Sequence, residues 1–448
     1  MIPRRTFLQT LAAPAIVTAK NRARPNILCL LTDQQHIDSI AAGGCRYSQT
    51  PSMDWLQQRG MSFGQSYCPD PLCSPSRSAI FTGRMPSETG VTSNGYPIRE
   101  GIPNLGQWFR ENSDYERIYA GKWHVPQNFA TAIDGFRVLP GGIAGQGNLG
   151  DSCVAHSCDA YLRNRSGSKP FLMVASFLQP HDICEWLRIN MENRDELPFP
   201  ELKAELPPLP ANFAVPPGEP EHLRRTRAKC EPAQGKWSHQ HWRYYLWSYY
   251  RHVEMVDGQV GRILEALRAT GREQDTLIVL TADHGEGLAH HQMVRKSISY
   301  DSAVRVPLLI SYPQGIPPSR QDKVHPVSGV DLMPTLCDFA GVKPPPLMRG
   351  RSLRPLMQEK PQTGDAFIVS EIPVNVGRVV RTARYKYVTY ADDPVEQLYD
   401  MQNDPGETRN LARSHGSVLS DHKKLLRSWE SRLQTAPENP HAEWWRNL

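Results

Sequence analysis

With 448 residues the chain is too long for one ordinary hydrophobic core and points to two domains. Its 39% hydrophobic and 22% charged residues are those of a globular protein. The 51 Lys and Arg against 46 Asp and Glu give a formal charge of +5, with no basic run, which argues against a nucleic-acid partner.

At the N-terminus, Pro3-Arg4-Arg5-Thr6-Phe7-Leu8 places a twin-arginine pair before a weakly apolar stretch from Leu8 to Ala19. The stretch is too short to span a bilayer and contains Pro14, so residues 1–20 read as an export signal, with Val17-Thr18-Ala19 as the cleavage region. The expected location is periplasmic or extracellular, without stable membrane insertion. Of the nine cysteines, Cys29 lies inside an apolar strand and is expected to be a buried thiol, and Cys153 with Cys158 is the easiest pair to join. No disulfide is assigned, because twin-arginine substrates usually fold in a reducing compartment before export.

Asn26 to Thr32 is a continuous apolar run that predicts a buried parallel strand ending at Asp33-Gln34. The segment Cys73-Ser74-Pro75-Ser76-Arg77 follows, with a proline suited to the first turn of a helix. Gly121-Lys122-Trp123-His124 comes next. A second strand, Phe171 to Phe177, leads to Pro180-His181. Residues 197–220 are proline-rich and predict an irregular excursion on the substrate side. Trp242 to Thr270 carries Val253, Val256, Val260, Ile263, Leu264 and Leu267 at helical spacing. The strand Thr276 to Thr281 runs into Asp283-His284-Gly285, and the strand Val306 to Ile310 has the same buried parallel pattern. A helix over 331–341 ends before Lys343-Pro344-Pro345-Pro346. Short strands at Phe367–Glu371, Val379–Thr382 and Tyr385–Tyr390 and a helix near Val418–Leu433 complete a small unit. Between them, Gln397 to Glu407 reads as a turn.

Strands alternating with helices imply an α/β fold, with a large mostly parallel central sheet flanked by helices and a smaller C-terminal α+β subdomain. The expected boundaries are 21–355 for the catalytic domain and 356–448 for the subdomain. Sites in such sheets form beyond the carboxyl ends of the strands, and three of these strands end on chemically active residues.

Cys73 at a helix N-terminus has the setting of an activated nucleophile, and Arg77, four residues on, falls on the same helix face. Asp33, Asp283 and His284 supply hard oxygens and one imidazole, a set for a divalent cation, most naturally Ca2+. His290 and His291 lie near the same strand end and are candidate substrate contacts.

The C-x-P-S-R segment resembles the signature of the type I sulfatases, members of the alkaline-phosphatase-like superfamily. The resemblance extends from Pro25 to about Leu411. It implies that Cys73 is converted to formylglycine by a maturation enzyme that recognises Pro75 and Arg77. It makes Lys122 and Lys296 clamps for sulfate oxygens, His124 the base that releases sulfate, and His181 the donor to the leaving group. It places Asp33, Gln34, residue 73, Asp283 and His284 around the cation. Lys296, Tyr300, Asp301, Arg305, Val306 and Pro307 match a further stretch, with Asp301 in place of the usual Glu. Gln34 replaces the commoner second acid; by charge alone, Gln34→Asp is expected to tighten cation binding. The segment from Gln397 to Glu407 also resembles a recurrent sulfatase C-terminal stretch. The implied activity is hydrolysis of a sulfated small molecule or glycan. The alternative is a phosphonate monoester hydrolase or phosphodiesterase of the same superfamily. A third reading, a non-catalytic glycan-binding relative, rests on Gln34 alone and is opposed by Cys73, Arg77, Lys122, His124 and Lys296.

Overall fold

The computed structural model describes residues 24–127, 129–141, 146–192, 197–360 and 365–435. The expected signal at 1–20 lies outside them. Fourteen strands occur among the described residues. In chain order they are β1 (Asn26–Asp33), β2 (Met61–Phe63), β3 (Ser66–Tyr67), β4 (Glu116–Gly121), β5 (Arg137–Val138), β6 (Phe171–Pro180), β7 (Thr276–Ala282), β8 (Leu308–Ser311), β9 (Arg320–Asp322), β10 (Val327–Ser328), β11 (Phe367–Ile372), β12 (Gly377–Thr382), β13 (Tyr385–Tyr390) and β14 (Asp393–Asp400).

Eight of them form the large sheet, in the order β5-β4-β6-β1-β7-β8-β2-β9. From β5 to β7 every neighbouring pair is parallel. The long apolar runs arise because both faces are covered. Ile27, Leu31, Val174, Leu277 and Val279 face a layer that includes Phe81, Leu332 and Leu336. Leu28, Leu30, Met173, Ile278 and Leu280 face the opposite layer, with Val256, Val260, Ile263 and Leu264 of the long helix. That helix spans His239–Ala269, three residues earlier than the apolar spacing predicts. Ser238 caps it, its Oγ accepting from the His241 N–H at 3.2 Å.

The strand expected at Val306 to Ile310 is present as β8 but runs antiparallel to β7. A parallel return would require a crossover to the far end of the sheet. Here residues 283–307 stay at the carboxyl end of β7, with only single turns of helix at His290–Gln292 and Asp301–Val304. The chain therefore comes straight back, and the whole connection, including Lys296, stays beside the site.

The C-terminal part is an antiparallel sheet in the order β11-β12-β13-β14, covered by the helix Gly416–Glu430. β14 occupies part of the segment read as a turn. Asp393-Pro394 and the polar pair Glu396-Gln397 hide it, as befits an edge strand with one polar face. Its core, with Val380, Tyr387, Leu398, Leu426 and Trp429, also takes in Ala79, Met85 and Val330 from the large unit. All nine cysteines are free; Cys153 is exposed and Cys158 buried, so they face different ways on one helix.

One buried ion cluster joins the two sheets. Lys386 on β13, with no exposed surface, donates to Asp301 Oδ1 and to Glu407 Oε1, both at 2.7 Å. Glu407 Oε2 in turn accepts the Asp301 N–H at 2.6 Å. Removing one partner of such a buried set strands the others. Lys386→Met is accordingly expected to lower the unfolding free energy by about 3–5 kcal/mol. Urea denaturation checks this, and a loss under about 1 kcal/mol contradicts it.

Candidate active site

The carboxyl ends of four adjacent parallel strands meet at one place. β1 delivers Asp33 and Gln34, β4 delivers Lys122 and His124, β6 delivers His181, and β7 delivers Asp283 and His284. Cys73 enters from above, as the first residue of the helix Cys73–Thr82, with Leu72 as its cap. The turn that presents Lys122 needs a glycine: Gly121 has φ 96°, and a Cβ there would lie 1.9 Å from the Ser176 carbonyl oxygen.

Arg77 does not reach back to Cys73, as the helix-face argument implies. Its guanidinium, fully buried, bridges the two carboxylates behind the cysteine. Nη2 lies 2.9 Å from Asp33 Oδ2 and Nε 2.8 Å from Asp283 Oδ2. Nη1 donates to the Lys122 carbonyl at 2.9 Å and to Ser176 Oγ at 2.8 Å. The same Asp33 oxygen meets Lys122 Nζ at 2.6 Å. Burial and the Cys73 sulfur push the Asp33 carboxyl up, but Lys122, His181 and Arg77 outweigh them and hold it below the usual carboxylate range. Burial and the charge of Asp33 push Asp283 the other way.

The Cys73 sulfur lies 3.2 Å from His284 Nε2 and 3.4 Å from Lys296 Nζ. Burial pushes its thiol up, yet Lys122, Lys296 and His284 together pull it well below the ordinary thiol range. One ligand atom each from Asp33, Cys73, Asp283 and His284 lies within 4.8 Å of all the others. His284 Nδ1 is held by the Gly285 carbonyl at 2.9 Å, which leaves Nε2 facing this centre. Asp33 Oδ1 is buried and has no hydrogen-bond partner among the described residues.

Cys73, Lys122, His124 and His181 line a cleft of about 310 Å³, together with Asn94, Gln146, Leu178, Cys184 and Glu185. His124 and His181 both come close enough to the Cys73 sulfur to affect proton binding there. Ser74 ties the floor together, its N–H donating to Asn94 Oδ1 at 3.0 Å and its hydroxyl to the His124 carbonyl. Arg77 and Lys122 pair with Asp33 and Asp283, while Lys296 points its ammonium at the Cys73 sulfur, which suits an anionic group bound there.

Ten of the twelve candidate residues are thus gathered. The exceptions are His290, stacked on the His36 ring at 5.3 Å with Nδ1 2.7 Å from Asn212 Oδ1, and its neighbour His291. His291 is buried away from the cleft, its ring 4.1 Å from that of Tyr300 and tilted by 32°, with Nδ1 on the Ala214 carbonyl and Nε2 near the Asn212 amide. It braces the proline-rich excursion. Asn94, Glu185 and Glu286 carry no periodic signal and escape a reading of the sequence; Glu286 alone sits close enough to a motif, two residues after His284, to be sought there.

This arrangement on this sheet defines a hydrolase of the alkaline-phosphatase-like superfamily. Comparison with known proteins narrows the class. The family description "Sulfatase" matches residues 25–342, and "N-sulphoglucosamine sulphohydrolase, C-terminal" matches residues 289–434. The chain belongs to the sulfatase family and is a sulfuric ester hydrolase. It is 32% identical to a Δ4,5-hexuronate-2-O-sulfatase of Bacteroides thetaiotaomicron, over 92% of this chain and 90% of that one. It is 26% identical to an N-acetylglucosamine-6-O-sulfatase of the same organism, over 97% and 91%. Among solved structures, a 2-O GAG sulfatase superposes with a TM-score of 0.81 at 30% identity, covering 95% of this chain and 94% of that one. A phosphonate monoester hydrolase of Agrobacterium radiobacter, at 23% identity and TM-score 0.76 over 92% and 96%, shares the fold.

Burial, and then the positive charge of Lys296, push the His181 imidazole down to about 4. Its folded value lies below the ordinary 6.5, so at pH 7 the free protein should hold this ring neutral, and its stabilising effect should fade as pH drops from 6.5 towards 4. NMR titration of the imidazole resonances checks this; a His181 midpoint above about 6 contradicts it.

Proposed function

We propose that this sulfatase is exported and cleaves sulfate esters of a carbohydrate, using formylglycine at residue 73 and one divalent cation, Ca2+. The observation that carries this reading is the convergence of Lys122, Lys296, His124 and His181 on Cys73, beside a buried donor set. The unpartnered Asp33 Oδ1 supports the cation, because a dry carboxylate oxygen without a donor is otherwise costly. Asp33, Asp283 and His284 would hold it, with Gln34 and matured residue 73 completing the set. The carbohydrate follows from the saccharide names of the similar sulfatases. Export rests on the twin-arginine pair, Arg4-Arg5. The proposed division remains a catalytic unit at 21–355 and a C-terminal unit at 356–448, with a formylglycine-generating enzyme as maturation partner.

A sulfate ester has little proton to exchange, so the rate depends on stabilising charge around the transferring group. Formylglycine at residue 73 would supply a hydrated aldehyde as nucleophile, and a cation held by Asp33, Asp283 and His284 would supply positive charge beside the transferring group. Lys122 and Lys296 hold the sulfate oxygens. His181 donates to the leaving alcohol; a bound sulfate beside it raises its proton affinity from the low value of the free protein. His124 takes the proton during release of sulfate.

Mass spectrometry of the peptide containing residue 73 should show an aldehyde in place of the thiol. Cys73→Ala should abolish hydrolysis of sulfated saccharides, and undiminished turnover would rule the nucleophile out.

The two histidines should separate kinetically. A sugar alcohol needs a proton to leave and a nitrophenolate hardly does. His181→Ala is therefore expected to slow sugar sulfate turnover by about two to four orders of magnitude and nitrophenyl sulfate turnover far less. His124→Ala is expected to slow both substrates and to accumulate sulfated enzyme. Equal damage to both substrates from His181→Ala, with no trapped enzyme in His124→Ala, contradicts the division.

A further inference from the structure

We infer that Glu286 is a positioning residue for the cation site, acting through Gln34; this rests on the cation reading above. Glu286 is fully buried beyond the end of β7. Its Oε2 accepts from Gln34 Nε2. Its Oε1 accepts from the Tyr245 hydroxyl at 2.5 Å and from the Arg295 N–H. The other end of the same amide points the opposite way: Gln34 Oε1 accepts from Lys296 Nζ at 2.6 Å.

The two ends of the amide are not interchangeable here. A carboxylate requires a donor and an ammonium requires an acceptor. Turned over, the amide would set oxygen against Glu286 and NH2 against Lys296. Glu286 therefore fixes Oε1 towards Lys296, whose ammonium lies 3.4 Å from the Cys73 sulfur. That is the side on which the proposed cation ligands gather.

Glu286 also accounts for the missing acid at position 34. A carboxylate there would face Glu286 across hydrogen-bond distance in a dry pocket, where like charges repel strongly. In this chain the acid stands one layer back, behind a neutral amide that relays its orientation. Charge counting alone makes Gln34→Asp tighten the site; with Glu286 adjacent, that substitution loses its donor to Glu286 and is expected to weaken it.

Calcium affinity, read by competition with a calcium-binding dye on the purified full chain, tests this without any turnover. Glu286→Gln is expected to lower the affinity about 10- to 100-fold, the range for losing an outer partner of a metal ligand. Gln34→Glu combined with Glu286→Gln re-forms the bond with donor and acceptor exchanged, and is expected to recover at least about tenfold of that loss. A purely structural role would give no such recovery. Unchanged affinity in Glu286→Gln, or a double variant as weak as the single one, overturns the assignment. Should Glu286→Gln not accumulate as folded protein, Tyr245→Phe decides, since it removes one donor from the same carboxylate. A loss of about twofold to tenfold supports the assignment and an unchanged affinity overturns it. A wild-type chain that binds no calcium overturns the cation reading and this assignment with it.

Discussion

The site depends on one guanidinium. Arg77 is fully buried and bonds Asp33 on β1 and Asp283 beyond β7, and so fixes the spacing of two neighbouring strand ends. It also bonds the Lys122 carbonyl and Ser176, which belong to the next two strands across. Its rigid fork of donors makes this possible; a lysine has a single point of charge and could not span the same four acceptors. Because Arg77 lies one turn along the helix from Cys73, the bond that sets the strand spacing also sets the depth of the nucleophile.

At that bridge Asp33 and Asp283 are fully buried on Arg77, Lys122 pairs with Asp33 and also lines the cleft, and Lys296 reaches the Cys73 sulfur from the connection after β7. A buried carboxylate is costly unless paired: Asp283 is bonded on both oxygens, by Arg77 and by the Gln34 and His284 N–H groups, whereas Asp33 leaves Oδ1 without a partner among the described residues. The loop that supplies Lys296 is itself strained: Leu288, Ala289, His291, Gln292, Arg295 and Ser297 all have left-handed φ values without being glycine. It holds its shape because fixed partners take its backbone, among them Glu286 on the Arg295 N–H and the Pro71 carbonyl on the Ser297 N–H.

The fold was legible where burial on both faces wrote unbroken apolar runs, as in β1, β6 and β7. It was less so in β4, whose Glu116-Arg117 start is polar, and in β14, an edge strand that reads as a turn. Strand direction could not be read at all at β8, since an apolar run has the same composition either way and the connection decides. The site was legible because its residues sit in short motifs at strand ends. What stayed hidden were contacts between motifs: the partners of Arg77, the withdrawal of His291 behind Tyr300, and the pairing of Gln34 with Glu286. These join residues 252 positions apart or more closely folded turns, and no spacing rule connects them.

The Lys386 cluster has a consequence for synthesis. Asp301 leaves the ribosome 85 residues before Lys386 and 106 before Glu407. At typical elongation speeds of about 5–20 residues per second, the acid that closes the Lys296 loop waits roughly 4–20 s for its partners. During that interval the nascent chain already carries every residue of the cleft but lacks the two partners that tie the end of the Lys296 loop to the C-terminal sheet. A product cut short before Lys386 would lack that closure permanently.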